Sequence, residues 1–260
     1  MQQIDEQQHK QRLLELLPHF SLCGLPYIRT VMHTVTAGEL ASLQKKHHYI
    51  YLVSYVKCAA PRGCTRTEKH TAVIPLTDAP DAILARFKKN TRNEIRKSEH
   101  IPELTFRVDD TNRRESYAVY AHAKTVDGAL LSLKREFSQC LLSNAYWKGK
   151  MIVSIASYRA DGILRFKTIA SLRKDEDMDP RIIGYATRRL VWEICMYGKE
   201  KGYTTIDLGG INFSQNAKKG IAQFKQSFGG DVIPEYTYRY ESRIFSILRK
   251  VLTLFGKEIF

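Results

Sequence analysis

Residues 181–202 read RIIGYATRRLVWEICMYGKEKG, and the chain continues through residues 202–211 as GYTTIDLGGI. The first run places Arg181-x-x-Gly184-x-Ala186 ahead of a predicted helix that extends from about Gly184 to Lys201 and stops at Gly202. Small residues at such a point let the backbone approach a ligand, and a helix N-terminus offers unpaired N–H groups and the positive end of a dipole to an anion. Arg181, Arg188 and Arg189 add positive charge nearby; an ordinary helix start, with Leu190, Trp192, Ile194 and Cys195 partly in the core, is the plainer reading of the same residues. The second run is a short apolar strand, Tyr203–Leu208, closed by a Gly209-Gly210 turn.

Working outward, Met151–Tyr158 and Ile163–Ser171 read as two strands joined by the turn Ala160-Asp161-Gly162. Downstream come a helix over about 216–227, stopped by Gly229-Gly230, an alternating strand Val232–Tyr240, and a last helix from near Ser242. Upstream, a leucine-striped helix is predicted from Asp5 to Leu17, then strands at 27–35, 49–57 and 70–76. Helices are predicted over 79–99, 111–125 and 132–143. Strands and helices mixed in this order give an α/β (α+β) class. No repeat and no low-complexity linker divides the chain.

Three segments, taken in order, resemble a known family. Arg181-x-x-Gly184-x-Ala186, set between strand and helix, is similar to the Q/R-x-x-G-x-G/A acyl-CoA pyrophosphate loop of the GNAT superfamily of acyltransferases. Gly202–Gly210, with Asp207 before the two glycines, resembles the strand end of its FemAB-like branch, and Gly220-Ile221-x-x-Phe224-Lys225-x-x-Phe228-Gly229 resembles the helix that follows there. Residues 87–97, FKKNTRNEIRK, resemble that branch's basic helix. The resemblance covers roughly residues 80–240. It implies a GNAT-type mixed β-sheet, flanked by helices and splayed where the acyl donor enters. FemAB enzymes carry two such domains, use aminoacyl-tRNA as donor and act on an amine of a peptidoglycan precursor. This chain is markedly shorter than those enzymes and shows no long inserted hairpin for a tRNA-binding arm. The expected division is a truncated GNAT-like subdomain at 1–100 carrying a basic helix at 84–97, an acyltransferase domain at 101–241, and a basic amphipathic helix at 242–260.

The resemblance assigns Phe224 and Lys225 to catalysis, and physics supplies a reason: a half-buried ammonium beside an aromatic ring can stabilise a tetrahedral oxyanion. Asp207 is expected to orient the acceptor amine, to accept its proton, or to cap the glycine turn. Arg181, Gly184, Ala186 and Arg188 form the expected cofactor-binding set. Lys88, Lys89, Arg92 and Arg96, with Lys97, present a cationic helix face for diphosphate or RNA, and Gly209, Gly210 and Asn212 complete the expected substrate-binding set. A solvated helix face paired through Glu94 and Glu99 is the other reading of the basic run.

Forty-one Lys and Arg against 27 Asp and Glu give a formal net charge of +14. That excess favours an anionic partner: nucleic acid, anionic lipid or a phosphorylated substrate. No bound cofactor is expected; the co-substrate is aminoacyl-tRNA or acyl-CoA, and the acceptor is an amine on a lipid- or nucleotide-linked precursor. No metal is expected, because Cys58, Cys64 and His70 lack zinc spacing and His47 and His48 are adjacent. There is no G-x-S-x-G elbow and no Walker loop, so direct attack by the amine in a ternary complex fits better than a covalent enzyme intermediate. Five irregularly spaced cysteines and the polar start MQQIDEQQHKQR suggest a reducing cytoplasm. The stretch 243–260 combines Ile244, Phe245, Ile247, Leu248, Val251, Leu252, Leu254 and Phe255 with Arg243, Arg249, Lys250 and Lys257, which suits the inner face of an anionic membrane, or packing on its own domain or a second subunit. Two rival functions stand beside aminoacyl transfer: an acyl-CoA-dependent acyltransferase acting on an amino sugar or small amine, and a non-catalytic RNA- or membrane-binding module.

Overall fold

A computed structural model describes residues 19–128, 131, 134–160, 162–175, 177–211 and 219–254. The helix expected at 5–17, Asn212 and the end of the C-terminal helix lie outside these residues. Ten strands form one sheet: β1 (His19–Leu22), β2 (Leu25–Met32), β3 (Tyr49–Ser54), β4 (Cys64–Pro75), β5 (Leu104–Val108), β6 (Leu141–Trp147), β7 (Lys150–Ala160), β8 (Ile163–Ser171), β9 (Thr205–Ile211) and β10 (Asp231–Glu241). The helices are α1 (Ala37–Lys46), α2 (Pro80–Arg86), α3 (Lys89–Ser98), α4 (Arg113–Val126), α5 (Lys134–Ser138), α6 (Pro180–Glu200), α7 (Lys219–Gln226) and α8 (Arg243–Leu254).

The strand order is β1-β2-β3-β10-β4-β9-β8-β7-β6-β5. Among the described residues only β2–β3 and β8–β9 pair parallel. β10 lies between β3 and β4, antiparallel to both, so the last strand stands among the earliest ones. The sheet curls until Val31 and Val53, from β2 and β3, share a small buried cluster with Ile163 of β8. The main core lies under α6, whose Ile183, Ala186, Leu190, Val191, Ile194 and Cys195 are buried at the helical spacing that makes one apolar face.

Several expectations are corrected. The R-x-x-G-x-A segment is not a loop: α6 begins at Pro180, a residue pre-set for a first helical turn, behind the cap Asp179. The basic helix is two helices, because Phe87 and Lys88 are extended, with ψ of 141° and 148°. Phe87 is buried there as a wedge, edge-on to Trp192 at 5.9 Å and Phe228 at 5.3 Å. The helix expected over 132–143 gives way to β6 from Leu141; a central strand buried on both faces has no period-2 pattern to announce it. Gly209 and Gly210 do not end the strand but lie inside β9. β1, β5 and α1 had no counterpart in the sequence reading.

Candidate active site

The two parallel strands β8 and β9 are joined only at Ile163–Thr205, Leu164–Ile206 and Arg165–Asp207. Beyond that point β8 follows β7 and β9 follows β4. The sheet therefore opens into a V with its apex at Arg165 and Asp207. At the apex β9 carries a bulge, with Leu208 and Gly209 lying between the pairs Val73–Asp207 and Thr71–Gly210. Gly209 has φ +81°, a conformation that costs a side-chain-bearing residue.

Asp207 is fully buried beneath this bulge and saturated by donors. Its Oδ1 accepts the Thr71 hydroxyl at 2.5 Å and the Gly209 N–H at 2.7 Å. Its Oδ2 accepts the Tyr55 hydroxyl at 2.7 Å and the Arg165 guanidinium. The same Arg165 nitrogen donates to Glu235 at 2.7 Å. Burial opposes the charge on Arg165, yet the carboxylates of Asp207 and Glu235 more than offset it and hold its pKa above the ordinary value. The Tyr55 phenol is pushed up, first by burial and then by Asp207. With both oxygens engaged from below, Asp207 caps the bulge and offers no free oxygen to an acceptor amine. Of the three roles expected of Asp207, the contact with the Gly209 N–H is the capping one.

A cleft of about 860 Å³ occupies the open V, between β8, Leu208 of β9, α6, α7 and the end of α4. Lys225 and Phe224 of α7 line it. Lys225 Nζ donates to the Gly210 carbonyl at 2.9 Å, and a Cβ placed on Gly209 would meet that ammonium at 3.3 Å. Burial lowers the Lys225 pKa to about 8, against the pull of Asp207, with Arg165 adding to the depression and Glu235 opposing it. Phe224 packs edge-on to Phe228 at 5.0 Å, and the Arg188 guanidinium lies 5.4 Å from its ring centre. Lys225, Phe224, Gly184 and Arg188 are thus brought to one cleft.

Gly209 and Gly210 lie beside Lys225 at the apex, while the remaining expected residues of α3 and α6 stand apart from the cleft. Ala186 is fully buried in the core and cannot reach a ligand. Arg181 is exposed and paired with Asp179 at 3.1 Å. Arg188 also pairs with Glu94 of α3 at 2.9 Å, and Arg189 with Glu99 at 2.6 Å, so α3 and α6 are stitched together by ion pairs. Arg92 is committed to α2, donating to the carbonyls of Ala85 at 2.9 Å and Phe87 at 2.6 Å. Lys88, just ahead of α3, and Lys89 and Arg96 on it stay exposed, away from the cleft lining.

Arg165, Glu235, Tyr55 and Thr71 had no place in the sequence reading. The one available signal was a charge inside an apolar strand, Leu164-Arg165-Phe166. A second buried cluster joins Lys167 to Glu136 and to the Tyr158 hydroxyl, both at 2.7 Å. Among the described residues no group of three or more His, Cys, Asp or Glu side chains is placed to hold a metal ion.

No family profile matches the chain, and no curated protein matches it in sequence. Solved structures do match its fold. The crystal structure of FemX superposes with a TM-score of 0.56 at 13% identity, covering 91% of this chain and 86% of that one. The C-terminal domain of a putative lysylphosphatidylglycerol synthetase from Agrobacterium fabrum gives 0.53 at 12% identity, covering 91% and 84%. L-PGS from Bacillus licheniformis gives 0.50 at 11% identity, covering 93% and 85%. The chain therefore shares the fold of FemX and of the lysylphosphatidylglycerol synthetase domain, the mixed sheet flanked by helices that the segments within residues 80–240 led one to expect.

Proposed function

We propose that this GNAT-fold chain is an N-acyltransferase that moves an aminoacyl group from aminoacyl-tRNA to an amine of a cell-envelope, glycan or peptide precursor. One observation carries the reading: a half-buried lysine ammonium, Lys225, is fixed by a backbone carbonyl at the apex of a splayed sheet, at the head of a cleft. As the acceptor amine attacks the donor carbonyl, a C–N bond forms and the carbonyl oxygen takes up negative charge. Lys225 stabilises that charge; the carbonyl re-forms as the bond to the donor oxygen or sulfur breaks, and that atom leaves as a hydroxyl or thiol with the proton the amine gives up. A cation fixed where negative charge develops is worth most at this step. Phe224 keeps α7, and so Lys225, seated against Phe228 and Arg188.

Aminoacyl-tRNA is favoured over acyl-CoA by the start of α6. The Asp179 carboxylate accepts the Arg181 N–H at 2.8 Å, so the helix end that would cradle a pyrophosphate already holds an anion. Exposed Lys88, Lys89 and Arg96 suit an RNA backbone. Acyl-CoA remains the rival donor because Gly184 and Arg188 do line the cleft.

Among the described residues no helix is long and apolar enough to cross a membrane. α8 instead exposes Ile244, Ile247, Val251 and Leu254 along one stripe, flanked by Arg243 and Lys250, while Phe245 anchors it to Tyr27 and Tyr49. This supports contact with an anionic membrane face, where a lipid-linked acceptor resides.

Assay with both donors tests the proposal. Transfer to an amine should be abolished by RNase treatment and be indifferent to free coenzyme A. RNase-insensitive transfer with saturable coenzyme A binding would assign the acyl-CoA donor, and RNA or anionic-lipid binding unchanged by Lys225→Met, with no transfer from either donor, would leave only a binding module.

A further inference from the structure

Lys225 is a cation with no carboxylate in contact. Its Nζ donates to the Gly210 carbonyl at 2.9 Å, and it enters no ion pair among the described residues. Burial of an ammonium favours its neutral form. The acyltransferase reading needs it charged, so its counter-charge has to come from groups that do not touch it.

The cleft itself does not supply them. Its other charges are cationic or already paired: Arg188 of α6 with Glu94, Lys167 of β8 with Glu136, and Asp127 at the end of α4 with Lys174. His122 and Lys124 of α4 and Arg173 after β8 add no carboxylate to the lining.

The counter-charge lies across the sheet. Arg165 of β8, Asp207 of β9 and Glu235 of β10 form one buried cluster in which a single guanidinium nitrogen serves two carboxylates. The Thr71 and Tyr55 hydroxyls that join it are neutral donors, so the cluster keeps one unit of negative charge. Lys69 stands opposite Glu235 on β4, but it is exposed and makes no ion pair among the described residues. Successive residues of a strand point to opposite faces, so Arg165 turns to this cluster and Phe166 to the cleft that Lys225 lines. Gly210 brings the two sides together. Its carbonyl accepts from Lys225, while a Cβ on it would lie 3.3 Å from Glu235 Oε1, so the missing side chain lets that carboxylate sit under the lysine's anchor. Burial lowers the Lys225 pKa to about 8, Asp207 and Glu235 oppose that fall, and Arg165 adds to it, the signs such a cluster requires.

We infer that Glu235 is a positioning residue for transfer, holding Lys225 as an ammonium by counter-charge from the opposite face of β9. Its bond to Arg165 at 2.7 Å keeps the carboxylate from closing on the lysine, whose outer side stays free for the acyl donor. The inference rests on the acyltransferase reading above.

Glu235→Gln removes the charge while keeping the shape and an acceptor for Arg165. Its kcat/KM, as a ratio to that of the unaltered chain, is followed across pH with folding checked by circular dichroism. An ammonium that loses a nearby carboxylate gives up its proton more readily, so the falling limb should move to lower pH by about half a unit or more. The ratio should be close to unity about two units below the limb and fall to about one half or less at its midpoint. A merely structural loss would lower the ratio equally at every pH. Gly210→Ala, which pushes on Glu235 without changing any charge, should move the limb the same way by less. The reactivity of Lys225 toward acetic anhydride, read by mass spectrometry over the same pH range, reports its ammonium fraction without any substrate and should shift with the limb. Limb and reactivity both unmoved in folded Glu235→Gln, or in Gly210→Ala should the former not fold, overturn the inference and leave the acyltransferase reading standing. Reactivity that shifts while the transfer limb stays in place would sustain the counter-charge and refute the part given to Lys225 in transfer.

Discussion

The Asp207 carboxylate accepts the backbone N–H of Gly209 at 2.7 Å, two residues along its own strand, and so fixes the bulge against which Lys225 is held. The residue thereby pins the backbone of the site. Replacing Asp207 by Ala leaves the Thr71 and Tyr55 hydroxyls without their acceptor and Arg165 with Glu235 alone. Breaking a buried charge pair from one side costs about 3–5 kcal/mol, and that loss should appear in urea denaturation of Asp207→Ala. Thr71→Val, which removes one neutral donor, should cost about 1 kcal/mol.

Gly209→Ala tests the bulge itself. The positive φ disfavours any side chain, and the new methyl would lie 3.3 Å from both Lys225 Nζ and the Phe166 carbonyl. Stability should fall by about 1–2 kcal/mol, and transfer should fall further than stability does, because the displaced group is the ammonium. Gly229→Ala is the control for a purely structural glycine. Its Cβ would sit 1.8 Å from the Arg86 carbonyl, so folding should fail rather than catalysis alone.

The lowered pKa of Lys225, about 8, sets two pH dependences. A group that acts as an ammonium is lost as pH rises through its folded pKa, so kcat/KM for the free enzyme should show a falling limb near pH 8. Stability moves the other way. Between about 8 and the ordinary lysine value the unfolded chain binds more protons than the folded one, so the contribution of this group to stability rises with pH over that window. Lys225→Met should abolish that rise in pH-resolved denaturation.

How far the sequence announced this site depends on the residue. Lys225, Phe224 and the glycines were legible because a short ordered string carries them, and the α/β class followed from alternating strand and helix patterns. Arg165, Glu235 and Tyr55 were not, since their meaning comes from strand pairing: β9 and β10 bring them to Asp207 from 42, 28 and 152 residues away. The start of α6 was misplaced although its signal was present, Asp179 followed by Pro180. Likewise α1 carries a capping box, the Thr36 hydroxyl accepting the Glu39 N–H at 3.2 Å, that the sequence states as T-x-x-E. The break at Phe87 was not stated locally; it is imposed by Trp192 and Phe228.

The exposed stripe on α8 predicts a lipid preference. The chain should float with vesicles containing anionic phosphatidylglycerol and not with neutral phosphatidylcholine vesicles. Ile247→Asp, at a position 63% exposed, should abolish flotation without changing the melting temperature. Equal binding to both vesicle types, or flotation unaffected by the substitution, would remove the membrane from the account.

Single-turnover transfer with Lys225→Met shows whether Lys225 supplies positive charge to the acyl-transfer transition state. Loss of one preorganised oxyanion donor corresponds to about a hundredfold or greater fall in rate, with donor affinity and melting temperature close to those of the unaltered chain. A Lys225→Met enzyme that turns over at the unaltered rate would contradict that role.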